Sequence, residues 1–252
     1  MARQPAIRVY IIERDIYARQ AIASYLSWDR HTRVVGRASS PHGLLAALRD
    51  DPSLARLDAI VLDNSLAATP DRLATLIKLL QHHAPQAAVI CLAHHPNVEC
   101  ALSAQHAGAR AFYTREQVGI GLASGVRFAL AHLFSVTENA FDELVEAECD
   151  LRDVDMLPER RTYPRLTQRI EEALWLCVVE GLPAERAAEE MGVSTSTVRS
   201  YIKEGYRILE AADDTIYPAT MSPSERAFLR YSAIELPEHL VLDAHTPQRP
   251  AA

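Results

Sequence analysis

The first 134 residues alternate between two hydrophobic rhythms. Short apolar runs rich in β-branched residues, IRVYII (7–12), TRVVGRAS (32–39), LDAIVLD (57–63), AAVICLA (87–93) and RAFYT (110–114), predict five strands. Apolar residues at helical spacing predict helices over 16–28, 41–50, 69–84, 97–109 and 118–134. Thr69 as N-cap and Pro70 in the first turn mark one helix start, and Gly108 lies near another helix end. Strands that are apolar along nearly their whole length belong to a parallel sheet covered on both faces. The predicted fold is therefore α/β, a doubly wound five-stranded parallel sheet. In such sheets chemistry gathers at the carboxyl ends of the strands. The run LDAIVLDNSL places a carboxylate, Asp63, at one of those ends.

From residue 135 the rhythm changes. SVTENAFDELVEAECDLRDVD is acidic and amphipathic, with Phe141, Leu144 and Val145 on one face, and reads as a linker helix. Two prolines in MLPERRTYP (156–164) break it. Residues 165–211 are helical in pattern throughout, punctuated by Gly181-Leu182-Pro183 and by Gly192. SPSERAFLRYSA (222–233) predicts one more helix, with Ser222 and Glu225 as a capping box and Pro223 in its first turn. After Pro237 the chain turns polar and proline-rich, the composition of a loosely ordered tail. The expected organisation is an α/β domain over 1–134, a linker over 135–162, an all-α domain over 163–212 and an extension over 213–252.

Composition narrows the function. At 48% hydrophobic and 23% charged residues, the chain has the profile of a globular protein. Its formal net charge of −7 excludes nucleic-acid binding through the whole surface and requires a local basic face for any such binding. Four scattered cysteines without CxxC spacing read as reduced thiols of a cytoplasmic protein. The first residues carry no long apolar segment after their charges, which argues against a signal peptide. No apolar run approaches the roughly 20 residues needed to span a bilayer.

The sharper signal is AERAAEEMGVSTSTVRSYIKEGYRIL: a short helix, a turn at Met191-Gly192-Val193, and a second helix capped by Ser194. Ala187, Ala188 and Met191 would face Val198 and Ile202, and small alanines let the helices approach closely. Ser196, Arg199, Ser200 and Lys203 fall on the other side of the second helix, and these side chains donate to base edges and phosphates. Over LTQRIEEALWLCVVEGLPAERAAEEMGVSTSTVRSYI the chain resembles the DNA-binding domain of the LuxR/NarL family. The matching positions are Leu166, Thr167, Gly181, Ala188, Gly192, Ser194, Thr197, Val198 and Arg199. The resemblance implies a four-helix domain in which Arg199, Ser200 and Lys203 read bases, while Ser196 and Thr197 lie near phosphates; Arg207, farther along the same helix, is expected to grip phosphate with them. The sequence departs from the family at Tyr201, where His is usual, and at Gln168-Arg169-Ile170, where Pro-Arg-Glu is usual. A sigma-factor-like helix-turn-helix and a plain helical hairpin are the alternatives. Residues 163–212 hold eight glutamates against Arg165, Arg169, Arg186, Arg199, Lys203 and Arg207, a balance that works against phosphate attraction except along the last helix.

The first half resembles a response-regulator receiver domain, a flavodoxin-like fold. The resemblance implies that Asp63 stands at the phosphoacceptor position and that an acidic pair after the first strand helps hold Mg²⁺. Here that segment reads Glu13-Arg14-Asp15, with a cation where the second acid belongs. The hydroxyl expected after the fourth strand is replaced by Ala93, the lysine after the fifth strand by Arg115, and the aromatic switch position falls near Phe112. Either Asp63 is retained structurally in a degenerate pocket, salt-bridged to Arg14 or Arg115, or it is phosphorylated over a poor metal site. An arginine beside it disfavours Mg²⁺.

His82-His83 and His94-His95 read as solvent-facing pairs and not as metal ligands. Trp28 and Trp175 are expected in helix interfaces. FALAHLF (128–134) is either core or a dimer surface, and Phe228, Leu229 and Tyr231 need a buried face. The reading as a whole is a cytoplasmic transcription regulator of two-component type, binding double-stranded DNA as a homodimer. Its receiver is degenerate and responds to a small molecule, a protein or its own concentration. No cofactor, metal or enzymatic activity is expected, because there is no Gly-rich phosphate loop and no nucleophile–base pair. The rivals are a conventional regulator phosphorylated on Asp63 and a protein-interaction adaptor that does not bind DNA.

Overall fold

The structure is a computed structural model that describes residues 6–29, 31–212, 217 and 220–234. These fall into two compact units divided between Glu159 and Arg160, the second ending at Ala233. The expected loose tail after Pro237 lies outside the described residues.

In the first unit, strands β1 (Ile7–Ile12), β2 (Thr32–Ala38), β3 (Ala59–Asp63), β4 (Ala88–Ala93) and β5 (Ala111–Thr114) form where the apolar runs predict them. They alternate with α1 (Ile16–Trp28), α2 (Pro41–Asp50), α3 (Pro70–His83) and α4 (Val98–His106). All pairings are parallel. Side-chain alternation divides the core between the two faces of the sheet. Val9 and Ile11 join Ile22 and Leu26 of α1 on one face. Tyr10 and Ile12 join Leu44, Leu73, Ile77 and Leu80 of α2 and α3 on the other.

After β5 the structure departs from expectation in three ways. First, the helix predicted over 118–134 is interrupted. A single turn, α5 (Arg115–Val118), ends at Gly119, whose φ of 39° is one that L side chains rarely adopt, and the main helix is α6 (Leu122–Ala131). Second, FALAHLF is mostly core: Phe128, Ala129 and Phe134 are buried, although Leu133 is exposed. Third, residues 135–156 are not a linker. They form β6 (Ser135–Val136), α7 (Glu138–Glu146) and β7 (Asp155–Met156), which extend the parallel sheet to seven strands in the order β2-β1-β3-β4-β5-β6-β7. The amphipathic face of α7 is what made it look like a linker, yet Ala140 and Leu144 are buried against the sheet beside Phe112 and Val136, while Val145 is exposed. Two-residue strands are too short to show a period, so no sequence rhythm announced them.

An ionic cluster around the buried Asp29 pins α6 to the end of α1. Asp29 accepts from the backbone and ring nitrogens of His31, both at 2.8 Å, and from Arg127, whose other arm donates to Ser124 Oγ at 2.7 Å. Burial raises the Asp29 pKa, but the hydrogen bonds from His31 and the charge of Arg127 outweigh it and hold the carboxyl well below the usual range. A depressed carboxylate pKa contributes stability that is present above the unfolded value and is lost as pH falls through the folded one. Asp29→Asn should therefore cost about 2–3 kcal/mol at pH 7. The gap from wild type in urea midpoints should narrow as pH falls below about 4; a gap that stays constant with pH would contradict this account.

The second unit is helical: α8 (Gln168–Leu174), which runs on as a π-helical stretch over Trp175–Val179, α9 (Ala184–Met191), α10 (Thr195–Ala211) and α11 (Pro223–Tyr231). The α10 backbone approaches α8 so closely that a Cβ on Gly205 would lie 2.9 Å from the Leu174 side chain. The capping box of Ser222 and Glu225 is present. Phe228, Leu229 and Tyr231 find their buried face within this unit, where Tyr163 Oη donates to the Arg230 carbonyl at 2.6 Å and Tyr231 Oη donates to Glu171 at 3.1 Å. Trp28 and Trp175 are each 38% exposed and not packed away as expected, and the Trp175 indole donates to Glu180 at 2.7 Å.

Candidate functional site

The carboxyl ends of β1, β3, β4 and β5 bring Glu13, Asp63, Ala93 and Arg115 to one end of the first unit. Asp63 and Glu13 are each 2% exposed. Charges so buried need partners, and one group serves both: Arg115 Nη2 lies 2.9 Å from Asp63 Oδ1 and 2.5 Å from Glu13 Oε2. The other acceptors are also engaged. Asp63 Oδ1 accepts from the Ser65 amide at 2.9 Å and Oδ2 from Ser65 Oγ at 2.7 Å, so the carboxylate caps the short 3₁₀ turn Asn64–Leu66. Glu13 Oε1 accepts from the Asp15 amide at 2.9 Å.

Of the two arginines expected near Asp63, Arg115 is the partner and Arg14 is not. Arg14 sits in the exposed bend after β1 and makes no side-chain ion pair among the described residues. Asp15 is likewise outside the pocket: its carboxylate accepts from the Ala18 amide at 2.8 Å and caps α1. Ala93 is buried and pairs with Thr114 across β4 and β5. Phe112 is fully buried under α7. His82, His83, His94 and His95 are exposed.

The Mg²⁺ implied by the receiver resemblance does not fit these residues. It needs near-octahedral oxygen ligands at about 2.0–2.1 Å. A guanidinium already bridges Glu13 and Asp63, the two buried carboxylates of the pocket among the described residues; Arg14 stands where the second acid of the expected pair belongs, and the next acid, Asp15, is spent on a helix cap. Among the described residues no group of three or more His, Cys, Asp and Glu side chains could hold a metal ion.

A second polar network lies beside this pocket and was missed in the sequence. Thr114 Oγ1 bonds Thr137 Oγ1 at 3.1 Å and donates to Asn139 Oδ1 at 2.9 Å, while Gln117 Oε1 accepts from the Asn139 amide at 2.9 Å. It ties the end of β5 to the start of α7. A reader expecting a linker at 135 has no reason to pair Thr114 with Thr137. Ser65 could have been found, since Asp-x-Ser is the spacing of a local side-chain turn.

In the second unit, Gly192 ends α9 in the left-handed region with φ 65°, and Ser194 caps α10 by accepting from the Thr197 amide at 3.1 Å. Ala187, Ala188, Met191 and Val198 are buried in one cluster, with Ile202 packed against it. The stretch is a helix-turn-helix. The α10 face away from that cluster exposes Ser196, Arg199, Ser200, Lys203 and Arg207, all within one helical stripe, and Thr197 is half-buried at its edge. Arg199 Nη2 pairs with Glu185 of α9 at 2.7 Å. Arg207 pairs with Glu204 through Nε at 2.8 Å and through Nη2. Lys203 makes no ion pair among the described residues. Ser196 and Thr197 hydroxyls each bond Ser194 Oγ at 2.8 Å, and Ser200 Oγ donates to the Ser196 carbonyl at 3.0 Å.

Residues 157–209 match the family model of sigma-70, region 4. The matched stretch contains the helix-turn-helix of α9 and α10. No curated protein matches the chain. Among solved structures, the two-component response regulator RcsB in complex with DNA is 16% identical with a TM-score of 0.48, covering 89% of this chain and 98% of that one. RcsB from Salmonella enterica serovar Typhimurium bound to promoter rprA in the presence of phosphomimetic BeF3⁻ is 16% identical with a TM-score of 0.45, covering 91% and 100%. A two-component response regulator of the LuxR family from Aurantimonas sp. SI85-9A1 is 15% identical with a TM-score of 0.48, covering 57% and 99%. No helix of the described residues is long and apolar enough to cross a membrane.

Proposed function

We propose that this chain is a cytoplasmic DNA-binding transcription regulator, a binding protein and not an enzyme, whose α/β unit is a receiver that works without aspartyl phosphate. The exposed stripe of α10 carries the DNA-binding half of the reading. Serines, arginines and a lysine lie together on the second helix of a helix-turn-helix, the element that enters the major groove in this motif. Arg199, Ser200 and Lys203 would reach base edges, and Ser196, Thr197 and Arg207 would grip phosphate. A homodimer on a two-fold site is the arrangement such a unit requires for specificity. The Arg115 bridge supports the second half. It supplies the positive charge that a metal would bring and engages Asp63, while Ser65 holds the other carboxylate oxygen. Asp63 then serves as cap and ion-pair partner, and the signal enters elsewhere in the α/β unit as a small molecule, a protein or a rise in concentration.

Intact mass after incubation with acetyl phosphate and Mg²⁺, beside Asp63→Asn, tests the phosphate-free half. The expected spectrum shows no adduct in either protein. An adduct of one phosphoryl group that disappears in Asp63→Asn would instead establish a conventional regulator. Retention of random duplex that falls steeply with salt is expected for the DNA-binding half; absent or salt-insensitive binding favours an adaptor.

A further inference from the structure

The three cations on the α10 stripe are not equivalent. Lys203 has no ion-pair partner among the described residues. Arg207 pairs with Glu204 three residues back on the same helix, so that pair travels with the helix as a local unit. Arg199 instead reaches across to α9, where Glu185 holds it. Arg199 is the fifth residue of α10, within the N-terminal part of a recognition helix that contacts base edges. The carboxylate of Glu185 thus sits beside the cation best placed to read sequence.

We infer that Glu185 is a specificity-determining residue of the helix-turn-helix: it positions Arg199 for a base edge and withholds that cation from nonspecific duplex. The inference rests on the DNA-binding reading above. On random duplex Arg199 meets chiefly phosphates. It can reach them only by leaving Glu185 or by bringing a second anion towards a polyanion, so its charge contributes little counterion release. A guanine offers two coplanar acceptors to a guanidinium. Glu185 takes a single Nη2 contact, which leaves the remaining donors of a five-donor group for that edge. The pair is weak enough to adjust, since Arg199 and Glu185 are 67% and 59% exposed. Glu185 therefore opposes nonspecific binding more than it opposes binding where a base engages Arg199.

The test uses the full chain and two probes: a random-sequence duplex, and the duplex most enriched from a randomised pool by the wild-type protein. Glu185→Gln should bind random duplex about 3- to 5-fold tighter, with a salt slope steeper by about 0.9. The enriched duplex should tighten less than about 2-fold, so that the specificity ratio falls. Glu189→Gln removes the same charge from a pair confined to α9, with Arg186, and should change the slope less. Equal effects of the two substitutions, or equal tightening on both probes, would reduce Glu185 to bulk charge and overturn the inference while leaving DNA binding intact. A wild type that fails to retain random duplex even at low salt would overturn the DNA-binding reading itself, and this inference with it.

Discussion

Arg115→Ala should destabilise the α/β unit by about 3–4 kcal/mol, a larger effect than any other single substitution in the pocket. The magnitude follows from what is left behind. Asp63 and Glu13 are almost wholly buried and approach the same guanidinium nitrogen. Without it, two carboxylates face each other with no cation, and removing one partner of a buried pair is costly chiefly because of the charge that remains. Asp63→Ala should cost less, because Arg115 keeps Glu13. Arg115→Lys should recover only part of the loss, since a compact ammonium does not reproduce the planar fork. In Arg115→Ala, millimolar Mg²⁺ should raise the thermal midpoint by binding the freed carboxylates, whereas wild type should not respond. Thermal unfolding of the four proteins with and without Mg²⁺ measures all of this. A wild-type midpoint that climbs with Mg²⁺ would mean that Arg115 yields its place, and the phosphate-free reading would lose its support.

How much of this was legible in the sequence depends on the range of the interaction. The five long strands and their helices follow from local period alone, and they form where the apolar runs place them. The turn between α9 and α10 was equally plain, because Gly192 and Ser194 act within a few residues of themselves. The substituted residues of the receiver resemblance could be named in advance. Which arginine meets Asp63 could not, because Arg115 arrives from 52 residues away. Sequence distance favoured neither candidate; the answer depended on β5 lying at the same sheet end as β3 while Arg14 turned to solvent. The β6-α7-β7 addition was hidden for a related reason. Ser135-Val136 and Asp155-Met156 gain their meaning only by pairing with β5 and with each other, and an amphipathic helix with one apolar face looks the same whether it links two domains or covers a sheet. Glu185 was invisible as a partner of Arg199 because it lies fourteen residues away on another helix.

The second large effect belongs to α10. Arg199→Ala combined with Lys203→Ala should weaken binding to random duplex about 10- to 100-fold at low salt and reduce the log–log salt slope by about 1 to 2. The stripe carries three cations opposed by Glu185 and Glu204, so losing two cations turns its net charge from positive to negative. Few basic residues remain elsewhere in the helix-turn-helix to compensate, because residues 163–212 already hold more glutamates than arginines and lysines. The two single variants should divide the effect unequally. Lys203 has no ion-pair partner among the described residues and should account for most of the change in slope. Arg199 is already countered by Glu185, so its removal should alter the slope little and the preference between duplex sequences more. Neither side chain supports the fold: both are exposed, and the cluster of Ala187, Ala188, Met191 and Val198 lies on the opposite face of α10. Thermal midpoints should therefore stay near wild type, separating loss of contact from loss of structure. Salt titrations of the wild type, the two single variants and the double variant on one random duplex decide the matter, and a double variant with wild-type slope would move DNA recognition off this helix.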